Sequence, residues 1–411
     1  MMASHRDTLA LNSLAGKLLW VAAVAAGSIN CSEPAGQLGF SADGDDVVPT
    51  VTIHDASADP ERVLVSIDME SYIIIDERSG GDLHVVGSGV RQFANGDIAV
   101  LDPAQGRIVV FDSAGRFLRH IERSGGGPGE WQRISGMEIV SDTIVLFAPR
   151  DRLIRLTQAG ELISDVRFVR RVSNLPRRPE GSESLLEHQW IPTQPLANGG
   201  ILVRMGSRSS TVGSEDFRRF EFLGIAYPGD ELAVDTLGDF AGGLLRQITP
   251  DSVIAVMGGA YISVAAGRSH IYVGNGDLNV IIQFDSEGQP IRRFKLGRER
   301  LPIVRAARRE FEKIGGRPAP RGTEWADSFA YFYDLLVDEF ERLWIGQPGV
   351  DGFESQLWTV IDSTGRSVSD VTIQLPLAYR VLDVGDRIII EVPPPLTLSP
   401  ELFVLSAHIG K

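Results

Sequence analysis

Residues 96–131, GDIAVLDPAQGRIVVFDSAGRFLRHIERSGGGPGEW, decide the fold, because their pattern of short strands and turns returns along most of the chain. Three segments, IAVLD, RIVVFD and FLRHI, are short and rich in β-branched and aromatic residues, as β-strands are. Turn formers separate them: Asp102, Pro103 and Gly106 in the first connection, and DSAG at residues 112–115 in the second. The stretch therefore predicts antiparallel strands joined by tight turns.

The strands IAVLD and RIVVFD are apolar at nearly every position rather than at alternate positions. A strand of this kind has both of its faces covered, whereas a strand with one solvated face alternates. A stack of small sheets, each packed between two neighbours, would supply that cover.

The DSAG hairpin has three counterparts further along the chain. They are TQAG at residues 157–160, DSEG at residues 285–288 and DSTG at residues 362–365. Each follows an apolar strand and leads into another strand. The hairpin glycines are 45 residues apart from Gly115 to Gly160 but 77 apart from Gly288 to Gly365, so the repeats carry insertions.

These hairpins, together with GGGPGEW at residues 125–131 and LLVDEFERLWIG at residues 335–346, resemble the bacterial six-bladed β-propeller family, which is related in architecture to NHL-repeat proteins. The resemblance implies an all-β propeller of four-stranded antiparallel blades over residues 61–411, and a location in the cell envelope. The chain departs from the family habit at Glu341, where glycine usually precedes the arginine, so the type of that turn is open.

We place the six blades at residues 91–130, 134–172, 186–237, 253–297, 329–375 and 378–410. Strand patterns at residues 62–67 and 72–76 precede the first blade, and we expect one of them to complete the last blade. This N-to-C closure is expected because an open ring would expose two blade faces and a free sheet edge.

Residues 1–27 read as a signal peptide, with weakly basic residues, the apolar segment LLWVAAVAA and small residues after it. Residues 28–60 are rich in Gly, Pro, Ser and Asp and are predicted to be a flexible leader or tether. Cys31 resembles the acylated cysteine of bacterial lipoproteins, but Asn30 precedes it; lipidation and an incidental cysteine both stay open. We predict an exported protein that is periplasmic, outer-membrane-attached or at the cell surface, with membrane contact only through Cys31.

The charge and cysteine content of the chain limit the kinds of partner that it can bind and the ways in which it can be stabilised. The net charge of -14 argues against nucleic-acid binding, which requires a basic surface. A single cysteine precludes an intramolecular disulfide framework, so packing must stabilise the fold.

Two arginine-rich insertions interrupt the strands, at residues 170–184 and 301–315. The second has apolar residues at helical spacing, Pro302 near its start and Gly315 at its end, which predicts a short amphipathic helix against one mouth of the propeller. The insertions could form an anion-binding rim, or simply a solvated helix face with surface ion pairs. The candidate ligand contacts are Arg170, Arg171, Trp190, Arg305, Arg308, Arg309 and Trp325.

Local catalytic motifs are absent. SGGGPGE lacks the Lys-Ser/Thr continuation of a phosphate-binding loop, no G-x-S-x-G elbow occurs, and the histidines are scattered. We therefore predict no catalytic residue, metal ligand or cofactor, although a propeller can assemble an axial site from several blades.

Three functional classes follow from this reading. The first is an envelope scaffold that recognises a ligand or a protein partner, and it is the class we adopt. The alternative is a metal-dependent hydrolase or lyase with an axial site, lactonase-like or NHL-lyase-like, so enzymatic activity stays open. The third is a surface structural protein.

Overall fold

The computed structural model describes residues 48–53, 61–66, 72–76, 79–82, 89–134, 136–148, 152–167, 191–196, 198–211, 216–227, 233–249, 252–255, 262–303, 308, 325–349, 352–374, 379–384, 387–392 and 401–406. Its regular structure within these ranges consists of β-strands, apart from a helical residue at 308 and a single 3₁₀ residue at 79. No helix in the described part of the chain is long and apolar enough to cross a membrane. The predicted signal peptide, residues 1–27, and Cys31 lie outside the described ranges and stay predictions.

Three short strands come first: β1 (Thr50–Ile53), β2 (Glu61–Ser66) and β3 (Tyr72–Ile75). They do not pair with one another, because each is added to a sheet that forms later in the chain. β1 lies within residues 28–60, so four residues of the predicted leader belong to the fold. The boundary at residue 60 itself stays a prediction.

Six antiparallel sheets, the blades, follow in chain order. Blade 1 contains β4 (Val90–Gln92), β5 (Ile98–Asp102), β6 (Arg107–Phe111) and β7 (Phe117–Ile121). Blade 2 contains β8 (Gly136–Val140), β9 (Thr143–Ala148), β10 (Arg152–Leu156) and β11 (Leu162–Arg167). Blade 3 contains β12 (Ile191–Pro195), β13 (Ile201–Thr211), β14 (Asp216–Tyr227), β15 (Ala233–Thr249) and β16 (Ser252–Ala255).

The second half of the chain repeats the pattern. Blade 4 contains β17 (Ile262–Ala266), β18 (His270–Asn275), β19 (Val280–Asp285) and β20 (Pro290–Leu296). Blade 5 contains β21 (Asp334–Val337), β22 (Leu343–Gly349), β23 (Gly352–Ile361) and β24 (Ser367–Gln374). Blade 6 contains β25 (Arg380–Val384), β26 (Arg387–Val392) and β27 (Glu401–Ser406).

The first strand of each blade lies innermost, and these six strands neighbour one another around a central axis. The neighbours β12 and β17 are joined by the Gln194 side chain, which donates to the Ala266 carbonyl at 2.9 Å and accepts from the Ala266 N–H at 3.0 Å. The blades therefore form a closed ring, the six-bladed β-propeller that the family resemblance implies.

The N-terminal strands close and cover this ring. β3 pairs antiparallel with β27, with Ile75 opposite Leu402, so the predicted N-to-C closure is confirmed and uses the later of the two candidate segments. β1 and β2 add as parallel outer strands to β20 of blade 4 and β24 of blade 5. β16 is likewise an added outer strand, beside β15 of blade 3, but it runs antiparallel to β15. Blades 3 to 5 thus carry a fifth strand beyond the four predicted.

The apolar core is divided into six layers, one between each pair of neighbouring blades. Every residue of β5 and β6 is buried, because one face of blade 1 packs on blade 2 and the other on blade 6. Each buried Val, Leu or Ile contributes roughly 1.5 to 3 kcal/mol relative to an exposed one. This geometry explains why these strands are apolar throughout rather than alternating.

The repeated hairpins join the third and fourth strands of blades 1, 2, 4 and 5. In blade 1, Gly115 has a φ of 77° and the Asp112 Oδ1 atom accepts the N–H groups of Ala114 and Arg116 at 2.9 and 2.8 Å. The Gly115 N–H donates to the Asp112 carbonyl at 2.9 Å and the Asp112 N–H donates to the Arg116 carbonyl at 2.8 Å, so the predicted tight turn is confirmed and ends in a left-handed glycine bulge.

Because neighbouring strands run antiparallel, the turns between strands one and two and between strands three and four lie on one face of the ring, which we call the turn face. The connections that follow the fourth strand of blades 1, 2, 4 and 5 lie on the other, the insertion face, and both arginine-rich insertions join the ring there. Residues 301–303 are extended, since Pro302 forms a β-bridge with Ser328. The predicted helix therefore cannot include residues 301–303, whereas residue 308 is helical; the rest of the predicted helix lies outside the described ranges.

Candidate functional site

Two of the seven predicted contact residues can be located, and they lie together. The guanidinium carbon of Arg308 is 5.6 Å from the centre of the Trp325 ring, a distance at which a cation is attracted to an aromatic face. The other five, Arg170, Arg171, Trp190, Arg305 and Arg309, lie outside the described residues and stay predictions. We call the pair the Arg308–Trp325 site.

Trp325 is held in place by a short ladder at the start of the insertion. The N–H of Ile303 donates to the Asp327 carbonyl at 2.9 Å, and the N–H of Phe329 donates to the Leu301 carbonyl at 2.8 Å. Ile303 and Phe329 form a small buried cluster, and Trp325 packs against it with part of its surface exposed. The Trp325 indole is therefore held in a fixed position, with part of its ring accessible to a ligand rather than buried in a blade.

Two other arginines anchor the insertion to blade 4. Arg300 pairs with Asp277 at 3.0 Å, donates to the Phe329 carbonyl at 2.8 Å and lies over the Tyr331 ring at 5.7 Å. Arg298 donates to the Tyr331 carbonyl at 2.9 Å. Both guanidinium groups are thus engaged in structure.

Arg308 differs from these anchors. Its Nε atom is buried without a hydrogen-bond partner, as is that of Arg298, but among the described residues the Arg308 guanidinium has neither a carboxylate like that of Arg300 nor a carbonyl acceptor like that of Arg298. Because Arg308 is only partly buried and its guanidinium has no carboxylate partner among the described residues, a bound anion could accept charge-assisted hydrogen bonds from it. The site can bind an anion at the guanidinium and stack a flat or sugar-like group on the indole.

A second cluster lies on the axis, where the inner strands of blades 6, 1 and 2 meet. Arg91 of β4 donates from Nε and Nη2 to both carboxylate oxygens of Glu138 of β8. Its Nη1 donates to the carbonyls of Val90 and Leu382, at 2.7 and 3.2 Å. We call Arg91, Glu138 and Asp383 of β25 the axial cluster.

Asp383 completes the axial cluster from the closing blade. Its Oδ2 atom accepts the N–H of Gln92 at 3.0 Å, on the side of β4 that faces the axis. Burial raises the pKa of Asp383 to about 6, and the nearby Glu138 charge adds to this effect, although the Arg91 charge opposes it. Burial alone would lower the pKa of Arg91, but the charge and hydrogen bonds of Glu138 raise it, so Arg91 stays charged.

The axial cluster does not fit a metal ion. Glu138 offers both oxygens to Arg91, and the guanidinium would repel a cation placed between Glu138 and Asp383. No group of three or more His, Cys, Asp or Glu side chains suited to a metal ion occurs among the residues that the structure describes. The arrangement instead suits proton transfer, since a carboxyl with a pKa near 6 can act as an acid or a base.

The comparisons with known proteins concern the fold. No curated protein matches the chain. Solved structures similar to it include a protein from Bacteroides fragilis described as exported, with 14% identity over 88% of this chain and 100% of that chain and a TM-score of 0.41. A DUF4221 family member from Bacteroides vulgatus has 13% identity, 82% and 95% coverage and a TM-score of 0.46. A virginiamycin B lyase from Staphylococcus aureus has 10% identity, 82% and 99% coverage and a TM-score of 0.37.

A family model described as a 6-bladed β-propeller, DUF5128, matches residues 87–161, which contain blade 1 and most of blade 2. The description agrees with the six blades around the ring. The chain is a six-bladed β-propeller.

The most specific segment of the propeller sequence, GGGPGEW, is structural. Trp131 is buried, and its Nε1 atom donates to the Gly106 carbonyl at 2.6 Å. Arg152 of blade 2 donates to the carbonyls of Glu130 and Gly127, at 2.8 and 2.9 Å, and pairs with Asp165. The segment therefore forms a tight connection between blades 1 and 2.

Sequence reasoning missed the axial cluster of the propeller. A signal was present, because VRQ, GMEIV and RVLDV each place a charged residue inside the first strand of a blade. In a propeller the first strands meet at the axis, so charges on three successive first strands indicate an axial cluster.

Proposed function

We propose that this propeller is an exported, envelope-associated recognition protein that binds an anionic ligand at the Arg308–Trp325 site. Export is supported by the signal-peptide pattern of residues 1–27. The observation that carries the binding function is the Arg308 guanidinium, which is stacked on Trp325 and unpaired with any carboxylate in the described part of the chain.

The placement of the site supports this proposal. On the turn face, the hairpins of blades 1, 2, 4 and 5 are tight four-residue turns. On the insertion face, 23 residues separate β11 from β12 and 37 separate β20 from β21. Binding residues in rigid folds are concentrated on such long connections, and Arg308 lies in the longer of these two.

The negative net charge of the chain should restrict anion binding to a few positions on its surface. A protein of charge -14 repels anions over most of its surface, so an anion is bound only where local cations outweigh this repulsion. The predicted contacts Arg305 and Arg309 neighbour Arg308 in sequence and would add to the local positive charge.

The test measures anion affinity by isothermal titration calorimetry on the full chain. The probes are inorganic phosphate, citrate and trigalacturonate, which differ in charge and in the presence of a sugar face. Arg308→Gln is expected to weaken binding of the preferred probe about tenfold or more, because a charge-assisted contact is lost. Trp325→Leu should weaken trigalacturonate more than phosphate, because only the sugar can stack.

Arg116→Gln is the matched control. Arg116 is also an arginine, its side chain is 80% exposed, and it lies on the turn face. This variant should keep the affinity within about twofold. Absence of binding by every probe, or equal binding by the wild type and Arg308→Gln, would rule out the anion-binding function.

A second candidate function is favoured by the axial cluster. Carboxylates from blades 2 and 6 lie on the axis with Arg91, and Asp383 has a pKa raised to about 6 by burial. These groups suit a hydrolase or lyase that works by acid–base chemistry rather than through a metal. A panel of lactones and aryl esters tests it: activity should change with a midpoint near pH 6, rising with pH if Asp383 acts as a base and falling if it acts as an acid, and should disappear in Asp383→Asn.

A further inference from the structure

The outer edges of the six blades are not equally covered. Blades 3, 4 and 5 carry a fifth strand, but β7 of blade 1, β11 of blade 2 and β3 of blade 6 have no further strand beside them among the described residues. Five of the seven large apolar side chains that are exposed in the described part of the chain lie on these three strands: Ile74, Phe117, Leu118, Leu162 and Ile163. Exposed apolar side chains thus collect where the sheets end.

The same position can be compared in four blades, because the third-to-fourth-strand hairpins are equivalent. The residue six positions after the first residue of each hairpin is apolar in all four blades. These residues are Leu118, Ile163, Ile291 and Val368. Leu118 and Ile163 are 44% and 53% exposed. Ile291 and Val368, in the blades that have an added strand, are only partly exposed. The apolar position is common to all four blades, and an added strand reduces its exposure.

The added strands show how such an edge is used. β1 runs parallel to β20, with Thr50 opposite Arg293, and the N–H of Arg293 donates to the Pro49 carbonyl at 3.0 Å. β2 runs parallel to β24 in the same way, with Glu61 opposite Ser369. An extended segment therefore docks on two blades through backbone hydrogen bonds and apolar contacts, which is the geometry of strand addition by a peptide.

Charge indicates what would dock on blade 1. Arg119 lies on β7, and Arg116 and Arg123 flank it, with Glu122 as the one acidic residue of residues 116–123; the ring of His120, on the same strand, contacts the Gly81 carbonyl at 2.8 Å. The edge is positive although the chain as a whole is strongly negative. Two copies of this edge would place arginines opposite one another, so the charges disfavour pairing between copies of the chain.

We propose that the outer edges of blades 1 and 2 bind an extended segment of a partner protein in which apolar residues alternate with acidic ones. On blade 1 the partner segment adds as a fifth strand, covers Leu118 and places its carboxylates beside Arg116, Arg119 and Arg123; on blade 2 a second such segment covers Ile163. This surface lies on the rim of the ring and is separate from the anion site on the insertion face.

The experiment uses the full chain and two synthetic probes. One is the nonapeptide Glu-Val-Thr-Val-Glu-Val-Thr-Val-Glu, and the other has lysine at the glutamate positions. Fluorescence anisotropy should show the acidic peptide binding at least about tenfold more tightly than the basic one, because only the acidic peptide complements the arginines. Hydrogen exchange should show protection of β7 and β11 amides on binding.

Leu118→Glu and Ile163→Glu test the surface directly. Both side chains are largely exposed, so the substitutions should preserve folding while weakening the acidic peptide about tenfold or more. Leu278→Glu is the matched control, since Leu278 is an exposed leucine, 37% accessible, on blade 4, and its substitution should change the affinity less than about twofold.

Three outcomes would overturn the proposal. The first is equal binding of the two peptides, or no binding. The second is a concentration-dependent dimer that Leu118→Glu dissociates, which would make a second copy the occupant. The third is a rise of about tenfold in peptide affinity when Asp43, Asp45 and Asp46 are replaced by lysine, because the chain's own leader would then be the occupant.

Discussion

The carboxylate of Glu341, in the first turn of blade 5, accepts a hydrogen bond at 3.0 Å from the backbone N–H of Ser269, in the first turn of blade 4. It also accepts the N–H of Arg268. Glu341 occupies the left-handed region with a φ of 63°, in a turn where Asp338 Oδ1 accepts the N–H groups of Phe340 and Arg342. The turn whose type was open is thus the same as the glycine-containing hairpins, with a glutamate that links two blades.

Glu341→Ala and Glu341→Gly should separate the carboxylate from the backbone. Each substitution removes the two charge-assisted hydrogen bonds of the carboxylate. Alanine at this position still has to adopt the unfavourable left-handed conformation, whereas glycine adopts it freely. We expect Glu341→Ala to reduce the free energy of unfolding by about 3 kcal/mol and Glu341→Gly to reduce it by about 2 kcal/mol. Urea denaturation measures both values, and a glycine variant more stable than the wild type would show that the carboxylate does not tie the blades together.

Trp131→Phe should destabilise the propeller by about 2 kcal/mol more than Trp358→Phe. Both indoles are 2% exposed, but Trp131 Nε1 donates to the Gly106 carbonyl, whereas Trp358 Nε1 has no hydrogen-bond partner among the described residues. The two substitutions remove a similar apolar area, so their difference reports the hydrogen bond. Thermal unfolding of the two variants gives the comparison, and equal losses would contradict it.

Removal of residues 1–76 should abolish cooperative unfolding, while removal of residues 1–66 should preserve it at lower stability. The shorter deletion removes only the added strands β1 and β2, but the longer one also removes β3 and exposes one face of the closing blade. Differential scanning calorimetry distinguishes the two results. A single sharp transition in the longer deletion would show that ring closure by β3 is dispensable.

Stability should depend on the protonation of Asp383. Its pKa is raised from 3.8 to about 6 in the folded protein, so folding favours the protonated carboxyl. The contribution to stability is therefore fully present below about pH 4 and is lost as the pH rises to about 6. Asp383→Asn, which cannot ionise, should gain stability relative to the wild type over this range, by up to roughly 3 kcal/mol.

The measurement is the free energy of unfolding of wild type and Asp383→Asn at several pH values from 4 to 8. Parallel pH profiles would mean that Asp383 is not responsible. A wild type that becomes relatively more stable as the pH rises would mean that Arg91 outweighs burial, and that the pKa is lowered.

The architecture of the ring was accessible from sequence because its determinants are local. Asp112 and Gly115 specify a hairpin within five residues, and Asp285 with Gly288 and Asp362 with Gly365 repeat it. Each hairpin fixes the register of two strands, so four of the blades follow from the repeats, and the number six follows from the family that the chain resembles. Closure was predictable on the general ground that a propeller leaves no open edge between its first and last blades.

The parts that escaped prediction depend on distant pairings. β1 lies in a Gly-, Pro- and Asp-rich segment and pairs in parallel with β20, and a parallel pair leaves no hairpin signal. Gln92 and Asp383 are 291 positions apart, so the axial cluster exists only once the ring is closed. Arg308 and Trp325 were predicted as separate contacts, but only the pairing of residues 301–303 with 327–329 brings them together.

The closure of the ring by its two ends also has a consequence in time. Ile75 and Leu402 are register partners about 330 positions apart, and a ribosome adding roughly 5 to 20 residues per second needs on the order of 15 to 65 seconds to make both. During that interval β3 has no sheet to join. Each newborn molecule must therefore keep its first strands out of unwanted pairings until its last strand has been made.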